Sequence, residues 1–349
     1  MSQTQKQVWT EPRCAALPAD RLGPFVRLAD GRLLTFGDNA TFTSADEGAS
    51  WSEARTIYAG KGAGRPAEGG LALKTADGVI VYVYMDMANL RWSWDEARKE
   101  AGRDARLDVW VIRSRNDGRS WTGRRRVFKG YCGALINMIQ TRTGELVVPV
   151  QRLVRDPSRH AICVYVSPDA GRTWAHSNII DLGGHGHHAG AMEPTIVELR
   201  DGRLWMLIRT NLDRFWEAYS SDRGLSWRVI GPSQIDASSA PGYMLRLASG
   251  RLALVWNRLY PAGRDSYQRR GGDCNLCEVA ASWHREELSL ALSADDGRTW
   301  TDPVVILRVE GGGPSYPYVF ERVPGELWIC TRFADRAALR IREQDFAAA

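Results

Sequence analysis

Long apolar runs, clustered charge and closely spaced cysteines are all scarce in this chain of 349 residues. No apolar stretch approaches the ~18–20 residues that a membrane-crossing helix needs, so a spanning helix is not expected. The net charge is only +5, and the arginines are scattered rather than in runs. That argues against a nucleic-acid binder, whereas a basic cleft for an acidic ligand fits the same number. The six cysteines are dispersed apart from Cys274 and Cys277, which excludes a disulfide framework and leads us to expect a reduced, cytoplasmic protein. The N-terminus, Met-Ser-Gln-Thr-Gln-Lys-Gln-Val-Trp, has no basic-then-apolar signal. One Cys-x-x-Cys, even with His284 nearby, lacks the second ligand pair of a structural zinc site. No motif implies a cofactor.

What is present is a repeat. Ser-x-Asp-x-Gly-x-Ser/Thr-Trp occurs at Ser44–Trp51, Ser167–Trp174, Ser220–Trp227 and Ser293–Trp300, and with Asn116 for Asp at Ser114–Trp121. The Asp or Asn oxygen can accept bonds from backbone N–H groups of a turn, and glycine can take a positive φ there. The Trp buries a large ring beneath the following strand. A second signal, a glycine turn before an apolar run, falls at Gly31, Gly78, Gly144, Gly202, Gly250 and Gly325 and alternates strictly with the boxes. Two hairpins per unit make a four-stranded antiparallel sheet. Six such units arranged radially form a β-propeller, here expected as one domain over residues 1–349. The sixth turn, at Gly325, has no box after it. The segment around Val8–Pro12 is therefore expected to supply the outer strand that closes the last blade.

The boxes and their phase against the glycine turns resemble the sialidase (neuraminidase) superfamily of six-bladed propellers. That resemblance implies a triad of arginines clamping a substrate carboxylate, a Tyr nucleophile, a Glu that takes the Tyr proton, and an Asp general acid. Glu193 opens a strand that is followed by Arg209 near the end of the next, which fits the Glu and the second arginine. Arg285 leads into the fifth box as the third arginine does, and Tyr316 precedes the last glycine turn as the nucleophile does, with Tyr318 its competitor. Arg21 is the candidate for the first arginine, with Arg27 behind it. The loop that carries the family's Asp is largely missing after Phe36, which leaves Asp38 or Asp86 as substitutes.

Outside that pattern, His185, His187 and His188 lie on a Gly-rich loop just before Glu193. They read as solvated side chains, as proton-transfer groups with His188 foremost, or as metal ligands. Trp216, with Arg214 and Glu217, has the look of a substrate-contacting loop, and Arg258 follows a strand of the fifth unit. Trp92, Trp94, Trp205 and Trp256 are further candidates for sugar stacking. The chemistry is coherent: arginines hold a carboxylate through paired N–H groups. A Tyr that ionises near pH 10 needs a carboxylate acceptor to attack at neutral pH. The leading expectation is an exo-glycosidase acting on a terminal acidic sugar of a small oligosaccharide. A uronate lyase and a non-catalytic glycan-binding propeller remain as alternatives. The oligomeric state is not legible.

Overall fold

The computed structural model describes residues 6–58, 70–271 and 278–347. Cys274 and Cys277 lie outside them. The chain forms six antiparallel blades set as a six-bladed β-propeller, with no α-helix among the described residues. The inner strands are Phe25–Arg27, Leu71–Lys74, Ile139–Gln140, Met192–Glu198, Tyr243–Arg246 and Ser315–Val323. Each glycine turn joins an inner strand to the second strand of its blade. Each box joins the third strand to the fourth.

The boxes work largely as their composition implies. In the first, Asp46 Oδ1 accepts from Ser50 N at 2.9 Å, and Ser44 Oγ accepts from Gly48 N at 2.8 Å. Hydrogen bonds from Ser50 hold the Asp46 carboxyl down at about 2. One feature was not anticipated: the residue before each glycine is also left-handed. Glu47, Asp117, Ala170, Arg223 and Asp296 have φ between 53° and 64°, so the turn bends through two consecutive αL residues and only the second is glycine. The glycine is also required by contact. A Cβ on Gly297 would lie 2.4 Å from the Trp205 ring in the preceding blade. Each box thus seats its blade against the previous one. Of the five box tryptophans, Trp227 is fully buried, while the others are half-buried.

Buried polar clasps link the inner strands. Asn137 in blade three donates to Ile196 O at 2.8 Å and Met244 O at 3.3 Å, and it accepts from Ile196 N at 2.9 Å. One side chain therefore satisfies backbone groups of blades four and five, as buried backbone requires.

The N-terminal segment does close the ring, but not with the residues expected. Ala15–Ala16 pairs with Ala337–Arg342 and completes blade six. Val8–Thr10 pairs instead with Val304–Val309 and adds a fifth strand to blade five. The expectation of a strand near Val8, drawn from the missing last strand of blade six, holds for Val8–Thr10. That strand's partner depended on where the chain turns between residues 11 and 14, which the pattern does not report.

Candidate active site

Glu193 stands at the start of an inner strand and Arg209 at the end of its neighbour. Antiparallel pairing brings both to one end of blade four, with Met192 opposite Arg209. The long connections between second and third strands emerge at this same end in blades two and five. They carry the small ribbons Trp94–Asp95 with Glu100–Ala101, and Arg269–Arg270 with Ala281–Ser282. Boxes and glycine turns lie at the opposite end.

Tyr316, at the start of the inner strand of blade six, reaches the same point. Its hydroxyl donates to Glu193 Oε1 at 2.6 Å, while Arg209 Nη1 donates to Glu193 Oε2 at 2.5 Å. Both Glu193 and Tyr316 have left-handed backbones, with φ of 41° and 56°. This is a costly conformation for such residues, of the kind that gathers at functional sites. The Glu193 N–H is held by Gln151 Oε1 at 2.8 Å from blade three. Burial, then the charge of Glu193, pushes the Tyr316 hydroxyl up to about 12, against the pull of Arg209 and Arg285. The proton therefore rests on Tyr316, with an acceptor already in hydrogen-bond contact.

The two arginines differ in what they have free. Arg209 is buried, and each of its three nitrogens already donates to protein oxygens: Nε and Nη2 to Ser239 Oγ at 3.2 and 3.0 Å, and Nη1 to Glu193. Its clamp role is thus occupied by the protein itself. Arg285 donates from Nη2 to Ser239 O at 2.9 Å, but its Nε is buried without a partner, and no carboxylate pairs with it among the described residues. Its guanidinium lies 5.6 Å from the Tyr316 ring and 5.1 Å from the Trp283 ring. Ser239 and Trp283, which join these groups, have no signal in the sequence beyond polar or aromatic residues near strand starts.

A cavity of 340 Å³ opens beside Tyr316. Arg21, Tyr82, Met85, Leu135, Arg332 and Phe333 are among its lining residues, and Asp20 supplies the carboxylate among them. Arg21 thus lies on the cavity, its guanidinium 3.5 Å from the centre of the Phe42 ring. Arg27 does not, since it pairs with Glu47 at 2.8 Å.

Several other candidates are placed elsewhere. Asp86 is buried and consumed as a structural cap. It accepts from Arg124 Nη2 at 2.9 Å, Asn89 Nδ2 at 3.0 Å and Ala88 N at 3.1 Å. Asp38 occupies the tight turn between Leu33–Gly37 and Ala40–Ser44 with φ of 48°; neighbouring Gly37 lines the cavity but Asp38 does not. Tyr318 is core, its hydroxyl accepting from Phe25 N at 2.9 Å. Arg258 pairs with Asp236 at 3.3 Å. Trp216 lies within a strand and packs against the core between blades three and four. Glu217 accepts from Trp205 Nε1 at 3.0 Å, so this pair belongs to the scaffold. Trp256 is likewise buried and donates to Asp236 O at 2.8 Å.

The histidine loop is neither solvated nor metal-binding in form. Its side chains are part-buried, and among the described residues no group of His, Cys, Asp and Glu is arranged to hold a metal ion. His185 bonds Lys99 O at 2.9 Å. His187 packs on Trp92 and Trp94, with ring centres at 4.7 and 5.6 Å, so these two tryptophans wall the loop. His188 meets Trp283 edge-on at 5.3 Å. Burial, then Arg209, pulls the His188 imidazole down to about 2. Buried His160, which sequence reasoning missed, lies 6.3 Å from His187 and is lowered to about 4, mainly by burial.

The fold and its repeats define the class. The BNR repeat-like domain family matches residues 37–329, and the chain belongs to that family. No curated protein matches. Among solved structures, a protein of unknown function from Dyadobacter fermentans aligns with a TM-score of 0.62 at 15% identity, over 95% of this chain and 98% of that one. A Hadza microbial sialidase, Hz136, gives 0.62 at 15%, over 94% and 66%. The Trypanosoma rangeli sialidase, in complex with a difluoro derivative of 2-keto-3-deoxy-nononic acid, gives 0.58 at 16%, over 93% and 53%. The chain therefore spans only about half to two thirds of these sialidase chains. At such identities the likeness is one of fold.

Proposed function

We propose that this protein is an exo-glycosidase for a terminal acidic sugar, sialic acid or a related acid, with Tyr316 as nucleophile and Glu193 as its proton acceptor. The observation that carries the reading is the 2.6 Å Tyr316–Glu193 hydrogen bond beside a cavity flanked by guanidinium groups. A phenol suits an anionic substrate, because a carboxylate nucleophile would repel it; this is the exception to paired carboxylates among glycosidases. As Tyr316 attacks the anomeric carbon, its proton passes to Glu193 Oε1. Arg209, bound to the other oxygen, keeps that carboxylate in place. Arg285 lies 5.6 Å from the Tyr316 ring but off the cavity lining, so its charge acts on the phenol rather than directly on the sugar. For the leaving group, Asp20 is our choice of general acid, since it lines the cavity and Asp38 does not. His188 is not our choice, because burial and Arg209 disfavour the imidazolium that would serve as the acid.

The test is turnover of aryl glycosides of N-acetylneuraminate, its deaminated analogue and glucuronate. Release that vanishes in Tyr316→Phe supports the reading. Asp20→Asn is expected to slow substrates with basic leaving groups more than nitrophenyl ones, since only the former need protonation. An unsaturated uronate product would instead mark a lyase. Binding without turnover in the wild type would mark a glycan-binding propeller and end the glycosidase reading.

A further inference from the structure

Arg332 lies directly across the strand pair from Tyr316. The register pairs Ser315 with Phe333 and Pro317 with Thr331, which sets Tyr316 opposite Arg332 in blade six. Cross-strand neighbours project on the same face of a sheet, and both residues line the 340 Å³ cavity. The Arg332 guanidinium is docked rather than loose. Its Nε donates to Leu22 O at 3.3 Å, and its Cζ sits 4.2 Å from the centre of the Tyr318 ring. Nη2 is shut in with no hydrogen-bond partner, and no carboxylate pairs with Arg332 among the described residues. A part-buried guanidinium that meets one neutral carbonyl and an aromatic face lacks the counter-charge that burial of a cation requires.

Arg21 and Arg336 also line the cavity, but neither lies in the strand pair opposite Tyr316. Arg209 is taken up by Glu193 and Ser239, and Arg285 does not line the cavity. Arg21 does line it, but its guanidinium is stacked on Phe42 toward the outer part of blade one. The Leu22 carbonyl that orients Arg332 is one residue beyond Arg21, so Arg332 holds a fixed positive charge against the 21–24 segment, on the cavity that Tyr316 also lines.

We propose that Arg332 is an anion-binding residue of this site and holds the carboxylate of the sugar acid from the blade-six side. The proposal rests on the acidic-sugar reading. It assigns to the last blade a contact that the sequence pattern reserves for the segment before the first.

The experiment is binding of N-acetylneuraminate and of glucuronate, by calorimetry, to wild type and to Arg332→Met, Arg332→Lys and Arg21→Met. Near-UV circular dichroism serves as the check on folding. Arg332→Met is expected to weaken whichever acid binds by at least about tenfold, as truncating one partner of a close charge pair does. Arg332→Lys, which keeps the charge but loses the planar fork, is expected to recover part of that loss. If the Met variant does not fold, a loss of several-fold in the Lys variant supports the proposal, and unchanged affinity overturns it. A folded Arg332→Met with wild-type affinity overturns the assignment while leaving the acidic-sugar reading intact, and a loss confined to Arg21→Met does the same. Wild type that binds neither acid overturns both.

Discussion

Tyr316 and Glu193 are 123 positions apart in the chain and share a 2.6 Å hydrogen bond, each from a left-handed residue at the start of an inner strand. The strain at both ends suggests that this contact is held by the surrounding blades rather than by local preference. Removing the phenol in Tyr316→Phe should lower turnover by roughly 10³-fold or more, with little change in ligand affinity, because only the reacting atom is lost. Glu193→Gln should cost about 10²–10⁴-fold, the range of a proton-transfer group. Steady-state kinetics beside equilibrium binding checks both.

Ser239 is the bracket of the site. Its hydroxyl takes two nitrogens of Arg209 and donates to Asn211 Oδ1 at 2.6 Å, while its carbonyl takes Arg285. Ser239→Ala keeps the carbonyl and removes the hydroxyl, leaving buried N–H groups unpaired. The expected cost is about 1–3 kcal/mol of stability, read by urea unfolding, together with a fall in kcat as Arg209 and Glu193 loosen.

His160 gives the protein an acid-sensitive element. Its folded-state value, about 4, lies below the ordinary 6.5, so the unfolded chain binds the proton more tightly. The stability tied to neutral His160 is fully present above about pH 6.5 and falls as pH drops toward 4. The slope is up to about 1.4 kcal/mol per pH unit. His188, lowered further, adds to the same slope. Unfolding free energy measured from pH 7.5 to 4.5 should decline in the wild type and decline less in His160→Gln.

Much of this molecule can be read from its residues because the repeat encodes local geometry. Boxes and glycine turns are short-range devices, and their alternation implies blades. The meeting of Glu193, Arg209, Arg285 and Tyr316 in space was legible because each keeps a fixed phase to a turn or a box. Asp86 was misread because its fate depends on Arg124, a neighbour in space on the outer strand of blade two that no spacing announces. Arg332 and Asp20 were silent for a similar reason. The roles we propose for them come from facing a cavity between blades, and residue type alone does not report that. Val8–Thr10 was read correctly as a strand yet given the wrong partner, since pairing between the ends of a chain has no local signature.

A hairpin-turn glycine and a box glycine separate two kinds of glycine requirement. Gly31 and Gly297 have nearly equal φ, 85° and 82°, but a Cβ on Gly31 meets nothing, whereas one on Gly297 strikes Trp205. Gly31→Ala should cost only the backbone strain, about 1 kcal/mol. Gly297→Ala should cost more, by a further ~1–3 kcal/mol of overpacking. Paired denaturation curves test the difference.

The closure of blade six by Ala15–Ala16 carries a consequence for biogenesis. Tyr316 belongs to the last blade, and that blade is finished by a strand that precedes all six inner strands in the chain. Glu193 and Arg209 are made well before Tyr316, and the sheet that holds Tyr316 is complete only when Ala337–Arg342 meets a segment more than 300 positions earlier. Such a distant pairing is entropically slow to form. The Tyr316–Glu193 contact therefore depends on a sheet whose last pairing spans most of the propeller.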